Sequence, residues 1–171
     1  RQWDNSMSVS KIVAAAASGV GGAGPDVDEL FGTRLYKGTA STQSITTDID
    51  LNGEGGLDWI KQRDASRDHY LFDTARGVYK YVRSSALDAE GSLNTTLTAF
   101  NNNSFTIGNR AAVNESNKAF ASWTFRKAEK FFDIVTWTGD GTASRNISHN
   151  LKSIPGHVMV KKTSGGSAAG W

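Results

Sequence analysis

The strongest constraint in this chain is a rhythm of short strand-like segments. Runs rich in Thr, Val, Ile and aromatics recur at 34–37, 42–49, 56–63, 69–73, 78–83, 96–100, 104–107, 119–126, 131–138, 143–149 and 157–163. Gly, Asn, Asp and Ser separate them, which is the composition of strands joined by turns. Ala121, Trp123 and Phe125 share one face of their segment, as do Phe132 and Ile134 of theirs. That is the period of two expected of half-buried strands. Residues 85–94 interrupt the pattern with a helical turn or a long loop. Many short strands at this spacing predict an all-β fold, an antiparallel β-sandwich or jelly-roll-like domain. A chain of 171 residues has room for one such domain, or one plus a fragment.

The first residues break the rhythm. Residues 1–24 form an Ala/Gly-rich arm, helical over Ser10–Ala17 or extended, with Ser8 or Ser10 as a cap. A helix this short is marginal alone. The arm therefore reads either as flexible or as an anchor ordered by a larger assembly. Its apolar part, Ile12–Ala17, is too short for the core of a signal peptide. Pro25 to Phe31 predicts a helical turn, with acids near its positive end.

An internal echo at an offset of 100 residues suggests how the rest is organised. Leu51–Lys61, LNGEGGLDWIK, aligns with Leu151–Lys161, LKSIPGHVMVK, through a leucine, a glycine, an apolar pair and a lysine. Upstream, Tyr36-Lys37-Gly38 echoes Trp137-Thr138-Gly139. Fixed-offset similarity is the signature of a repeated unit. The expected division is an arm over 1–24, a β-sandwich domain over 25–134, and the start of a second repeat module over 135–171. A chain beginning at Arg1 and stopping inside a repeat reads as a fragment, continuing past Trp171.

Several function classes lose support at once. Cysteine is absent, which removes thiolate nucleophiles, disulfides and Cys-based zinc sites. The formal charge of +2 comes from scattered cations, so a nucleic-acid partner is not expected. No apolar run approaches the ~20 residues of a membrane-spanning helix, and membrane insertion is not expected either.

The densest mixture of aromatic, basic and acidic residues lies at 51–77, where a catalytic or metal-binding loop would show itself. Asp48 to Gly53 matches the opening of a calcium loop, but the twelfth place, which needs Glu, holds Trp59. A turn rich in Asp and Gly fits better. His69, His149 and His157 supply no third ligand, and no metal or cofactor site is expected. Asp64, Asp68 and Asp73 resemble the carboxylates of a glycosidase, yet Arg63, Arg67 and Arg76 interleave with them. Charge pairing within the turn is the simpler account, so no catalytic residue is assigned. Among the aromatics, Trp59, Tyr70 and Trp137 are the candidates for a sugar-binding platform. Alternating aromatics in strands are as readily core.

Other segments carry a resemblance. They are DLNGEGGLDWIKQRD (50–64), DTARGVYKY (73–81), LTAFNNNSFTIG (97–108), ASWTFRKAEKFFDIVTWTGDGT (121–142) and ISHNLKSIPGHVMVKK (147–162). Together they resemble a domain of tail-fibre-like virion structural proteins of tailed, often marine, bacteriophages. Lys152 departs from it, standing where Gly is usual. The resemblance implies a non-enzymatic virion component, a tail fibre or a fibre-attachment protein at the tail or baseplate. It further implies a homotrimer docked to other tail proteins through residues 1–24, with modules beyond Trp171 reaching a host surface glycan. The rival classes are a carbohydrate- or receptor-binding module for host adsorption and a polysaccharide depolymerase.

Overall fold

The computed structural model describes residues 24–164. The expected arm helix over Ser10–Ala17 and the final Trp171 lie outside the described residues.

The chain enters through a single helical turn, α1 (Val27–Leu30), with Asp28 and Glu29 in it and Leu30 buried beneath. Strand β1 (Phe31–Lys37) follows without a break. The later strands are β2 (Gln43–Thr46), β3 (Gly56–Gln62), β4 (Tyr70–Asp73), β5 (Lys80–Arg83), β6 (Gly91–Ser92), β7 (Leu97–Phe100), β8 (Ser104–Ile107) and β9 (Ala119–Arg126). One turn of helix, α2 (Ala111–Asn114), precedes β9. Two antiparallel sheets result, in the orders β1-β9-β3-β4-β5-β6 and β2-β8-β7. The expected all-β sandwich is what forms.

Alternation assigns the faces. In β3, Gly56, Asp58, Ile60 and Gln62 are buried while Leu57, Trp59 and Lys61 are half-exposed. The larger sheet sends Ile60, Tyr70, Phe72 and Phe120 inward against Ile45, Leu97, Phe105 and Ile107 of the smaller one, with Val113 of α2 among them. Tyr36 ties the layers together, stacked on Phe120 at 5.1 Å and edge-on to Phe105 at 6.4 Å. Each fully buried large side chain is worth about 1.5–3 kcal/mol of transfer free energy. Ala121, Trp123 and Phe125 do share a face, and it is the outer one; Phe120, Ser122 and Thr124 of β9 face the core.

Close approach fixes one glycine absolutely. A Cβ on Gly56 would sit 2.0 Å from the carbonyl oxygen of Phe125, so β3 can lie beside β9 only without a side chain there. Asn114 fastens the opposite end of the sandwich. Its amide nitrogen donates to the carbonyls of Ser41 and Gly108, each at 2.7 Å. Its amide oxygen accepts from the Thr39 backbone at 2.8 Å and the Gln43 side chain at 2.6 Å. All four of its bonding positions are filled although it is wholly buried.

After β9 the expected strands at 131–138, 143–149 and 157–163 do not form among the described residues. β9 has β1 on one side and β3 on the other, so the chain that leaves it cannot fold straight back to pair with it. The segment is held instead by local ties. Ala128 and Phe132 form an isolated bridge, the Lys130 amide donates to Leu151 at 2.7 Å, and the Phe132 ring meets Phe125 at 5.3 Å. The sequence echo between 51–61 and 151–161 therefore has no local counterpart, since the first copy holds β3 and the second no strand.

Candidate functional site

Register decides what each candidate residue can reach. β3 and β4 run antiparallel with Ile60 opposite Tyr70 and Trp59 opposite Leu71. Tyr70 consequently points into the core, buried against Phe72 and Tyr81 at ring distances of 6.2 and 4.9 Å. Trp59 lies on the outer face. Trp137 stands on the segment after β9, 46 % exposed. The expected platform of Trp59, Tyr70 and Trp137 is thus not a single surface, and Tyr70 is a core residue.

Around Trp59 a different cluster assembles. β3 and β9 place Trp123 directly opposite, with the two rings edge-on at 6.2 Å. The Trp59 indole N–H donates to His69 Nδ1 at 2.9 Å. A nitrogen that accepts this bond carries no proton, so the imidazole is neutral with its hydrogen on Nε2. Burial, then the positive charge of Lys61, holds the His69 pKa below its usual value. Both indoles are half-exposed on the outer face.

The charged turn beside His69 does not pair with itself. Asp64 accepts from the Gln62 side chain at 2.9 Å and the Ala119 amide at 3.2 Å, which keep its pKa low. Asp68 accepts from Ser85 Oγ at 2.8 Å and bridges Arg83 at 2.6 Å, again with a lowered pKa. Arg83 also grips Asp88 at 2.5 Å, and Arg67 reaches Glu115 at 3.2 Å. Asp73 and Arg76 do pair locally, buried at 2.5 Å, with Glu90 joining at 3.4 Å. These charges fasten the turn to β5, to the loop before β6 and to the residue after α2. Where carboxylates meet, an arginine lies between them: Asp68 and Asp88 share Arg83, and Asp73 and Glu90 share Arg76.

The Asp48–Gly53 stretch is a turn. Asp50 Oδ1 accepts from the amides of Asn52 and Gly53 at 3.0 and 2.8 Å. Beside it opens a cleft of about 540 Å³, walled by Leu51–Gly55, Thr74, Val78 and Thr98–Phe100. Among the described residues, no cluster of three or more His, Asp or Glu is placed to hold a metal ion. No helix there is long and apolar enough to cross a membrane.

One ionisable group escaped the sequence reading. Asp58 is fully buried between β9 and β4, opposite Thr124 and Phe72. Its Oδ1 accepts from Thr124 Oγ1 at 2.6 Å, and its Oδ2 has no partner. Burial raises its pKa to about 7, against the opposing pull of the Thr124 bond. Tyr36 is affected in turn: burial, then the Asp58 charge, drives its hydroxyl well above the usual value, and that hydroxyl donates to the Val113 carbonyl at 2.7 Å. Shared parity with Ile60 was the signal that could have found Asp58.

The protein is thus an all-β sandwich domain whose polar groups are engaged chiefly in holding turns and sheets together. Residues 26–171 match the family described as Domain of unknown function (DUF7483), and the chain belongs to that family. No curated protein and no solved structure matches it.

Proposed function

We propose that this chain is a structural, non-enzymatic component of a bacteriophage virion, a tail fibre or fibre-attachment protein, carried as a homotrimer. The resemblance in sequence supplies the virion context. The observation that carries the reading is the division of labour along the chain. Charged groups in the sandwich are engaged with neighbouring turns and strands, while Ile154, Val158, Met159 and Val160 are exposed after β9. Apolar side chains grouped outside a finished core are what an assembling protein presents. Residues 1–24 dock the protein to other tail proteins in this reading. Deleting them abolishes incorporation into particles and leaves the sandwich folded; particles that retain the shortened protein at normal level would overturn the docking role.

A carbohydrate- or receptor-binding module for host adsorption is the second reading, favoured by the half-exposed Trp59–Trp123 pair. Aromatic faces of this kind suit sugar rings. Selective glycan-array binding that disappears in Trp59→Ala would establish it, and an array without selective signal removes it. A depolymerase gains no support from geometry, because Asp64 and Asp68 are tied to Gln62, Ala119, Ser85 and Arg83.

A further inference from the structure

The register sets out the outer face of the larger sheet row by row. Across β1, β9 and β3 one row runs Thr33, Trp123, Trp59, and the next runs Leu35, Ala121, Lys61. Beyond them Lys37 stands opposite Ala119. The ladder carries on one step past β3 to Arg63, whose amide donates to the Ala119 carbonyl at 2.7 Å. β9, the middle strand, therefore contributes only the methyl groups of Ala119 and Ala121 to this face before it reaches Trp123. Longer side chains rise on both sides of them. A shallow groove results, roughly 10 Å between its flanking strands and about 13 Å from Ala119 to Trp123. The two indoles close one end of it.

Three cations line the groove, and none is neutralised. Lys37 and Arg63 are exposed, and neither side chain makes a hydrogen bond or an ion pair among the described residues. The Lys61 ammonium donates to the carbonyls of Gln62 and Ala65 and meets no carboxylate there. Its charge is felt at the indole end, where it is, after burial, the second cause of the lowered His69 pKa. Asp64, at the other end, has its oxygens taken by the Gln62 side chain and the Ala119 amide. Trp59 is fixed by its bond to His69, whereas the Trp123 indole N–H has no partner among the described residues and is free to donate. Aromatic faces, a spare N–H and unpaired cations are together complementary to rings that carry hydroxyls and negative charge. We propose that this groove binds an anionic glycan, with its sugars against Trp123 and Trp59 and its carboxylates or phosphates on Lys37, Lys61 and Arg63. Three cations are few for a nucleic acid, whose affinity comes from many phosphate contacts. The assignment deepens the carbohydrate-binding reading above and rests on it.

The test applies the whole chain to an array of acidic oligosaccharides, printed beside counterparts with carboxyls reduced to alcohols or phosphates removed. Selective signal is expected for charged members and is lost in the counterpart that lacks the charge; which treatment removes it tells carboxylate from phosphate. Lys37→Gln/Arg63→Gln breaks no bond within the fold, so it weakens the strongest hit at least about tenfold with an unchanged far-UV spectrum and Tm. Trp123→Ala abolishes binding, and added salt weakens it. Selective binding of neutral sugars alone overturns the anionic assignment and leaves the carbohydrate-binding reading standing. An array without selective signal removes both. Undiminished binding by the double variant places the ligand elsewhere, and equal competition by a single-stranded oligonucleotide makes the surface a general polyanion binder; either result overturns the proposal.

Discussion

Two buried polar residues of the same sandwich are treated differently by it. Asn114, beneath the turn after β1, has every donor and acceptor matched. Asp58, in the middle of β3, has one oxygen matched and one left bare. Both are wholly excluded from water. A satisfied amide converts burial into a fastening, because every competing arrangement leaves something unpaired. A half-satisfied carboxyl is tolerated chiefly in its neutral form. The first residue holds the fold at any pH, and the second makes its stability a function of pH.

Asn114→Ala is the harshest test of that contrast. It strands the Thr39 amide, the Gln43 side chain and two carbonyls, and a loss of ~3–4 kcal/mol is expected in urea denaturation. A cost below ~1 kcal/mol would show that water replaces the amide and that the fastening is illusory.

The Asp58 test is smaller and has a sign that depends on pH. Its folded pKa of about 7 lies above the ordinary 3.8, so its contribution is fully present below the ordinary value. It is lost as pH rises through about 7, because the unfolded chain ionises freely and the buried carboxyl resists. Asp58→Asn removes that dependence and should exceed the wild type by ~1–3 kcal/mol at pH 8, with little difference at pH 4. A wild-type stability that stays flat between pH 4 and 8 would refute the account.

His69 gives the mildest effect, and in the opposite direction. Its pKa is depressed, so its contribution is present above the ordinary value near 6.5 and is lost as pH falls through the folded one. Protonation also ends the bond from Trp59, so indole fluorescence should change over the same acid range. Replacing His69 with Phe should abolish that titration; an unaltered fluorescence profile would exclude the imidazole as its source.

How much of this was legible beforehand depended on whether a pattern was local. The strands at β3, β4, β8 and β9 follow from alternation and turn residues, and the α1 turn from Pro25 and its acids. The segments after residue 130 carry the same pattern and form no strand, because a sequence does not say whether a free edge awaits it. Trp59 and Tyr70 looked like companions by composition; only the register, with Tyr70 opposite Ile60, separates them onto two faces. The outward pairing of Arg67, Asp68 and Arg83 was equally hidden, since Glu115 and Ser85 are distant in sequence. Asp58 was readable from parity alone.

The position of β9 has a consequence for how the molecule comes into being. Among the described residues it is the last strand made, yet β1, the first of them, pairs there with no other strand, and β3 lies against it along its whole length. During synthesis the early strands must wait, unpaired on that side, until residue 126 has left the ribosome. Closure over so long a stretch of chain is slow compared with helix formation. The polypeptide is exposed to misassembly throughout that interval, and it is released from it by eight residues arriving at once.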